Sequence, residues 1–167
     1  MSSRSVSGAG TSTLSLPSER EIRIERIFDA PRELVWRAMT EPDLVAQWWG
    51  RGNRLDIVSL DVERGGHWRF VEHHGGGSDG FEGRFAEVDP PGRIVQTFEW
   101  DGMPGHVALN TTTLEAIGDD RTRLVTVSLF LTVADRDGMI QSGMKSGLDQ
   151  GYEALDRVLA RLRSAAA

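Results

Sequence analysis

Glu72 is the carboxylate whose setting could do chemistry. In the run His67–His73 (HWRFVEH) it shares one strand face with Trp68 and Phe70,. A carboxyl among aromatic rings has its charged form disfavoured and can serve as general acid or base. An ordinary solvated carboxylate near a strand end is the competing reading. His106, between two strand-like runs, is the second candidate for proton transfer,. Neither has the companions of a nucleophilic site, because Ser59, Ser128 and Ser142 lie in no nucleophile-elbow context,. The remaining histidines are His67, His73 and His74, and the chain has no cysteine. Adjacent strand residues point to opposite faces, which keeps His73 and His74 from sharing one ion. No carboxylate stands at a recognisable ligand spacing, so neither a metal nor another cofactor is expected. Gly75-Gly76-Gly77 lacks the Lys-Ser/Thr of a phosphate loop and reads as a hairpin connection,.

Binding chemistry is better represented than catalytic chemistry. Trp68 and Phe70 on one strand, Phe81 and Phe85 on the next, and Phe98 and Trp100 on a third each alternate onto a common face,. Gly83 and Gln96 lie on the same face, and Trp48 and Trp49 end a short helix nearby. These rings either fill a core or line an apolar cavity, and the small and polar residues among them favour some open volume. Gly143, Gly147 and Gly151 recur at spacing four in a helical stretch. Three such glycines cost a helix about 3 kcal/mol relative to alanine. Either a neighbouring backbone packs close there or room is left for a ligand.

The elements that must position these residues follow from periodicity. Residues 21–28 alternate as a strand, and Pro31 opens a helix carrying Leu34, Val35, Ala38 and Met39 on one side,. Thr40 with Asp43 resembles a capping box for a second short helix ending near Trp48,. Strands are predicted over 55–64, 67–73, 81–88, 94–100, 107–117 and 123–133, with a loop at 75–80,. From Gly138 to Arg163 one long helix is expected, capped by Asp135 or Asp137, with Ile140, Met144, Leu148, Leu155, Val158 and Leu162 on its apolar stripe,. The sum is an α+β domain, a curved antiparallel meander with a long helix across its open side.

Composition sets the outer limits. The chain has 167 residues, 39% hydrophobic, enough for one domain with a sizeable core,. A net charge of -6 argues against a nucleic-acid partner,. No apolar run approaches the roughly 18 residues that a membrane helix needs. Residues 1–18 are rich in Ser, Thr and Gly and lack the apolar run of a secretory signal; they read as a disordered tail before a domain at 19–167, and the protein is placed in the cytoplasm by default,.

Several longer runs carry a family resemblance. The stretch Ile22–Trp49 (IRIERIFDAPRELVWRAMTEPDLVAQWW), the turn Arg64-Gly65-Gly66-His67-Trp68-Arg69-Phe70, Phe81-Glu82-Gly83-Arg84-Phe85, Pro90-Pro91 through Trp100, and Gly151–Leu159 (GYEALDRVL) resemble, in order and spacing, the heat-shock protein 90 ATPase activator homologue family. The resemblance covers about 21–163 and implies the START-like, helix-grip (SRPBCC) fold: seven antiparallel strands gripping the C-terminal helix around an apolar cavity. It implies less about function, since fold does not fix function. Superfamily members bind lipids, hormones or polyketides, a few cyclise polyketides, and eukaryotic relatives stimulate the chaperone's ATPase.

The expected function is binding of a small apolar or aromatic molecule between sheet and helix. Trp49, Trp68, Phe70, Phe85, Phe98, Trp100, Met144 and Leu148 are expected to supply apolar contacts, Gly147 to give room, and Gln96, His106 and Asn110 to orient the ligand. The entrance is expected between the helix and the loops at 75–80 and 101–106. The alternatives are a cyclase- or hydrolase-type enzyme using Glu72 or His106, and a chaperone-interacting module. Sheet edges could pair two copies into a homodimer.

Overall fold

The computed structural model describes residues 10–166. The element order is β1 (Ser12–Ser15), β2 (Glu21–Phe28), α1 (Arg32–Thr40), α2 (Pro42–Val45), β3 (Arg54–Leu60), β4 (His67–His74), β5 (Gly77–Asp89), β6 (Arg93–Trp100), β7 (Ala108–Ile117), β8 (Arg121–Phe130), α3 (Val133–Gln141) and α4 (Met144–Ala166). The strands form one sheet in the order β1-β2-β8-β7-β6-β5-β4-β3, antiparallel throughout. It is the α+β helix-grip arrangement, with eight strands rather than seven.

Strict alternation builds the ends of the sheet. In β2, Ile22, Ile24, Arg26 and Phe28 are buried while their neighbours are half-exposed, and β4 buries Trp68, Phe70 and Glu72 in the same way. Register shifts at Ile57/Ser59 and at Phe85/Glu87 are bulges, which bend strands and curve a sheet,. Curvature divides the interior into two clusters. One gathers Ile22, Ile24, Phe28, Leu124, Leu155 and Leu159 under α1 and α4; the other gathers Val45, Leu55, Trp68, Phe70, Phe85 and Ile94. Trp36 and Trp49 pack against both.

The structure corrects five sequence expectations. Part of the expected tail 1–18 is a strand: Ser12–Ser15 pair with Arg26–Arg23, and Leu14 packs against the first cluster. Residues 1–9 of that tail lie outside the described residues. A four-residue Ser/Thr-rich strand has little apolar signal, and its pairing is set by β2, not by itself. The single helix from Gly138 is two helices. Gly143 has φ +82°, a left-handed conformation that ends a helix and that glycine adopts without strain,. The cap of α3 is Thr132, whose hydroxyl accepts from the Asp135 N–H, so Asp135 supplies the third helical position and not the cap,. Finally, the expected loop at 75–80 is a tight turn, because His74 pairs with Gly77 and β5 begins there. At α2, Pro42 occupies the first turn and no side chain caps the helix, so the Thr40–Asp43 box does not form.

Among the described residues no helix is long and apolar enough to cross a membrane. The β1 pairing yields a prediction. Truncating the chain before Pro17 removes the Leu14 contact and the cover over Arg26, and should lower stability by about 1–3 kcal/mol, or roughly 3–10 °C in melting temperature. Calorimetry of the truncated chain checks this; an unchanged melting temperature would mean that β1 adds no stability.

Candidate functional site

A cavity of about 430 Å³ lies between the sheet and α4. Three successive rungs of β6, β7 and β8 form its floor. The first rung is Phe98, Ala108 and Phe130; the second is Gln96, Asn110 and Ser128; the third includes Thr112 and Thr126. Strand pairing puts these side chains side by side although they are far apart in sequence. On the α4 side, Met144, Leu148 and Tyr152 recur at spacing four, which places them on one helical face,. Trp49, Trp68 and Phe81 form an aromatic wall, with Trp49 edge-on to Trp68 at 6.4 Å and to Phe81 at 5.1 Å between ring centroids,. Met139, Ser142 and Gly143 bring the α3–α4 junction to the cavity.

Trp68 is held in place by its own polar edge. Its indole N–H donates to the Thr97 carbonyl at 3.1 Å, past Gly83. A Cβ at Gly83 would stand 2.6 Å from that indole nitrogen and 2.0 Å from the Thr97 oxygen. Gly83 therefore serves this close approach and not the cavity's volume.

Of the residues expected to bind, Trp49, Trp68, Gln96, Phe98, Asn110, Met144, Gly147 and Leu148 line the cavity. Phe70 and Phe85 do not; both are buried in the second cluster. Trp100 sits at the end of β6, 37% exposed, with its indole N–H donating to Asp79. His106 is outside as well, on the surface, with Nδ1 2.8 Å from the Asp135 carboxylate. Alternation correctly gave the face of Phe70, Phe85 and Trp100, but the curved sheet carries them past the cavity. Neither 75–80 nor 101–106 contributes a lining residue, whereas the α3–α4 junction does. Thr112, Thr126, Ser128, Tyr152 and Arg51 were not expected among the binding residues. Counting inward positions on the hairpin 107–133 from Asn110 could have found the first three.

Glu72 is buried, 1% exposed, and is held rather than free. Its Oε2 accepts from Arg51 Nη2 at 2.8 Å, from Arg51 Nε at 3.3 Å and from Asn53 Nδ2 at 2.8 Å. Arg51 has φ +59°, a backbone region uncommon for a residue with a side chain,. The turn after α2 holds it there, with the Arg51 N–H donating to the Trp48 carbonyl. The same side chain resolves the glycine question. A Cβ at Gly147 would stand 2.9 Å from Arg51 Nη1 and 3.3 Å from Arg51 Cδ, and Gly151 faces the Trp48 carbonyl and Arg51. The room left by these glycines is occupied largely by Arg51, while both also border the cavity. The histidines pair separately: His73 with Asp56, His74 with Asp79 and His67 with Glu82.

Tyr152 forms part of the cavity wall from α4. Burial raises its pKa to about 12, against the opposing effects of the Arg26 cation and a hydrogen bond with Thr126. Arg26 itself is bound by Asp156, Nη1 to Oδ1 at 2.8 Å and Nη2 to Oδ2 at 2.7 Å.

The sequence pattern of the family described as Activator of Hsp90 ATPase homolog 1-like protein matches residues 29–160. The chain belongs to that family. Solved structures agree with the Hsp90-activator-homologue assignment in fold. A crystal structure of a protein from Rhodobacter sphaeroides is 27% identical, with a TM-score of 0.83 over 90% of this chain and 99% of that one. A solution structure of a protein from Arthrobacter aurescens is 22% identical, with a TM-score of 0.80 over 89% of this chain and 91% of that one. A crystal structure from Chromobacterium violaceum is 25% identical, with a TM-score of 0.71 over 84% and 97%. No curated protein matches the chain.

Two predictions follow from this geometry. Tyr152 is the chain's one tyrosine, so tyrosinate absorbance reports it alone. Its raised pKa contributes stability that is complete below about pH 10, the unfolded value, and lost as pH rises through about 12,. Tyrosinate in the folded chain should therefore appear near pH 12 and not near 10, and Tyr152→Phe should flatten the alkaline loss of stability,. For the ion pair, Arg51→Met leaves Glu72 short of partners and should cost about 1–3 kcal/mol, a value moderated by solvent at the half-exposed arginine. Glu72→Gln in that background should recover part of the loss. Gly147→Ala should stabilise by up to about 1 kcal/mol only once Arg51 is gone. Denaturant unfolding of the variants reads all these changes.

Proposed function

We propose that this member of the Hsp90-activator-homologue family binds a small apolar or aromatic molecule in the cavity between the sheet and α4, without transforming it. The observation that carries this reading is the cavity itself. Its volume falls in the usual ligand-site range of about 300–1,000 Å³, and aromatic walls with a few converging polar groups are the ordinary composition of such sites,. The surroundings of the two candidate proton-transfer groups favour this reading. Glu72 is held by Arg51 and Asn53, and His106 is outside the cavity beside Asp135. The cavity supports the binding reading over the cyclase or hydrolase reading. Among the described residues the co-chaperone role suggested by the family's description has no comparable feature behind it.

The test is titration with N-phenyl-naphthylamine, a neutral probe that fluoresces in apolar surroundings. The wild-type chain should bind it at one site. Met144→Trp fills the cavity from the first turn of α4 and should weaken binding about tenfold or more while the melting temperature changes little. Absence of probe binding, or equal binding by the filled variant, would place the ligand elsewhere or remove it.

A further inference from the structure

The middle rung of the cavity floor is polar where an apolar cavity has no need of it. Gln96, Asn110 and Ser128 stand in line across β6, β7 and β8, and all three line the cavity. The rung on one side, Phe98–Ala108–Phe130, is apolar. On the other side Thr112 and Thr126 bond to each other at 2.9 Å, and Thr126 also bonds Tyr152, so this rung is satisfied from within the protein. Asn110 is different: its Oδ1 is buried and has no hydrogen-bond partner among the described residues. Buried polar atoms are almost always paired, so an orphan acceptor in a cavity wall asks for a partner from the ligand.

We propose that the Gln96–Asn110–Ser128 rung is the recognition element of this cavity, and that it takes an uncharged ligand with a hydroxyl group on an apolar ring system. The proposal rests on the cavity-binding reading and specifies its ligand class. An amide presents both an acceptor and a donor, as does a serine hydroxyl, and a ligand hydroxyl is the smallest group that answers both. The ring system follows from the wall of Trp49, Trp68 and Phe98,. The absence of charge follows from the neighbouring cations, which are already matched. Arg51 is bound to Glu72 and Arg26 to Asp156. A carboxylate on the rung would be desolvated with no free counter-charge, which is costly. Tyr152, neutral below about pH 12, adds no charge of its own.

Four probes of nearly one shape test this on the full chain: naphthalene, β-naphthol, its methyl ether and β-naphthoate, each titrated by calorimetry. β-Naphthol is the most readily hydrated of the three neutral probes, so a merely apolar cavity would bind it no tighter than naphthalene. The expected result is the reverse: β-naphthol about fivefold or more tighter than naphthalene and the methyl ether, with naphthoate weaker still. Asn110→Leu should abolish the preference for naphthol while keeping naphthalene affinity. Ser128→Ala and Gln96→Met, each of which removes one member of the rung, should each reduce that preference and give the same reading if Asn110→Leu fails to fold. Naphthalene binding as tightly as naphthol, naphthoate binding tightest, or a naphthol preference that survives the variants would overturn the proposal and leave the cavity reading standing. No binding by any of the four would overturn the cavity reading, and this proposal with it.

Discussion

Arg26 points inward from β2 with only 2% of its surface exposed, on the face where Ile22, Ile24 and Phe28 place hydrophobic side chains. A guanidinium in that position is tolerable only with a matched partner, and a buried ion left alone is strongly destabilising. Asp156 of α4 supplies both oxygens in a bidentate pair,. The rings of Phe28 and Tyr152 lie 4.6 Å and 5.6 Å from the guanidinium carbon, and β1 runs alongside,. This pair fixes both the height and the rotation of α4 over the sheet. Tyr152, Leu148 and Met144 lie four, eight and twelve residues before Asp156. Once Asp156 faces β2, the helical repeat turns all three toward the same side, and that side is the cavity wall,.

The cavity exists because the sheet bends more than its side chains can fill. Register shifts at Ile57/Ser59 and Phe85/Glu87 interrupt the regular pairing of β3–β6, and the second aromatic cluster packs on the inner face of these strands. Trp49 touches both clusters and closes the gap between them on one side. On the other side, Arg51 reaches under the glycines of α4 to Glu72. The wall of the cavity is thus built from the rings of Trp49, Trp68 and Phe81, while its floor across β6, β7 and β8 alternates an apolar rung with polar ones.

The sequence revealed the fold through local signals and missed what depends on register. The alternation of Ile22–Phe28 and Trp68–Glu72 and the Gly65-Gly66 turn gave the meander directly. Gln96 was visible because it shares a strand face with Phe98 and Trp100. Ser128, Thr112 and Thr126 were not, because hydroxyls in a strand are ordinary and only pairing brings them to one floor. Trp100 and His106 were misplaced for the same reason: periodicity gives a face, but not where along that face a cavity ends. Gly143 carried a usable signal, a glycine directly after Ser142 in a helical run, but it was read with Gly147 and Gly151 as one groove. In the folded chain it breaks the helix while the other two accommodate Arg51. Arg51 itself had no distinguishing pattern, since its role comes from a left-handed turn that only the assembled structure requires.

The short strand β1 also changes how the molecule meets its neighbours. Without it, β2 would present eight residues of unpaired backbone at the sheet's border, the kind of border on which extended chains add and aggregates start,. Ser12–Ser15 cover its centre, from Arg23 to Arg26, and among the described residues the border they offer in exchange is four residues long and mostly hydroxyl-bearing. At the opposite border, β3 carries a bulge and charged Arg54 and Asp56. Both borders are poor templates for further strands, so this open sheet resists growing by edge addition although it never closes into a barrel.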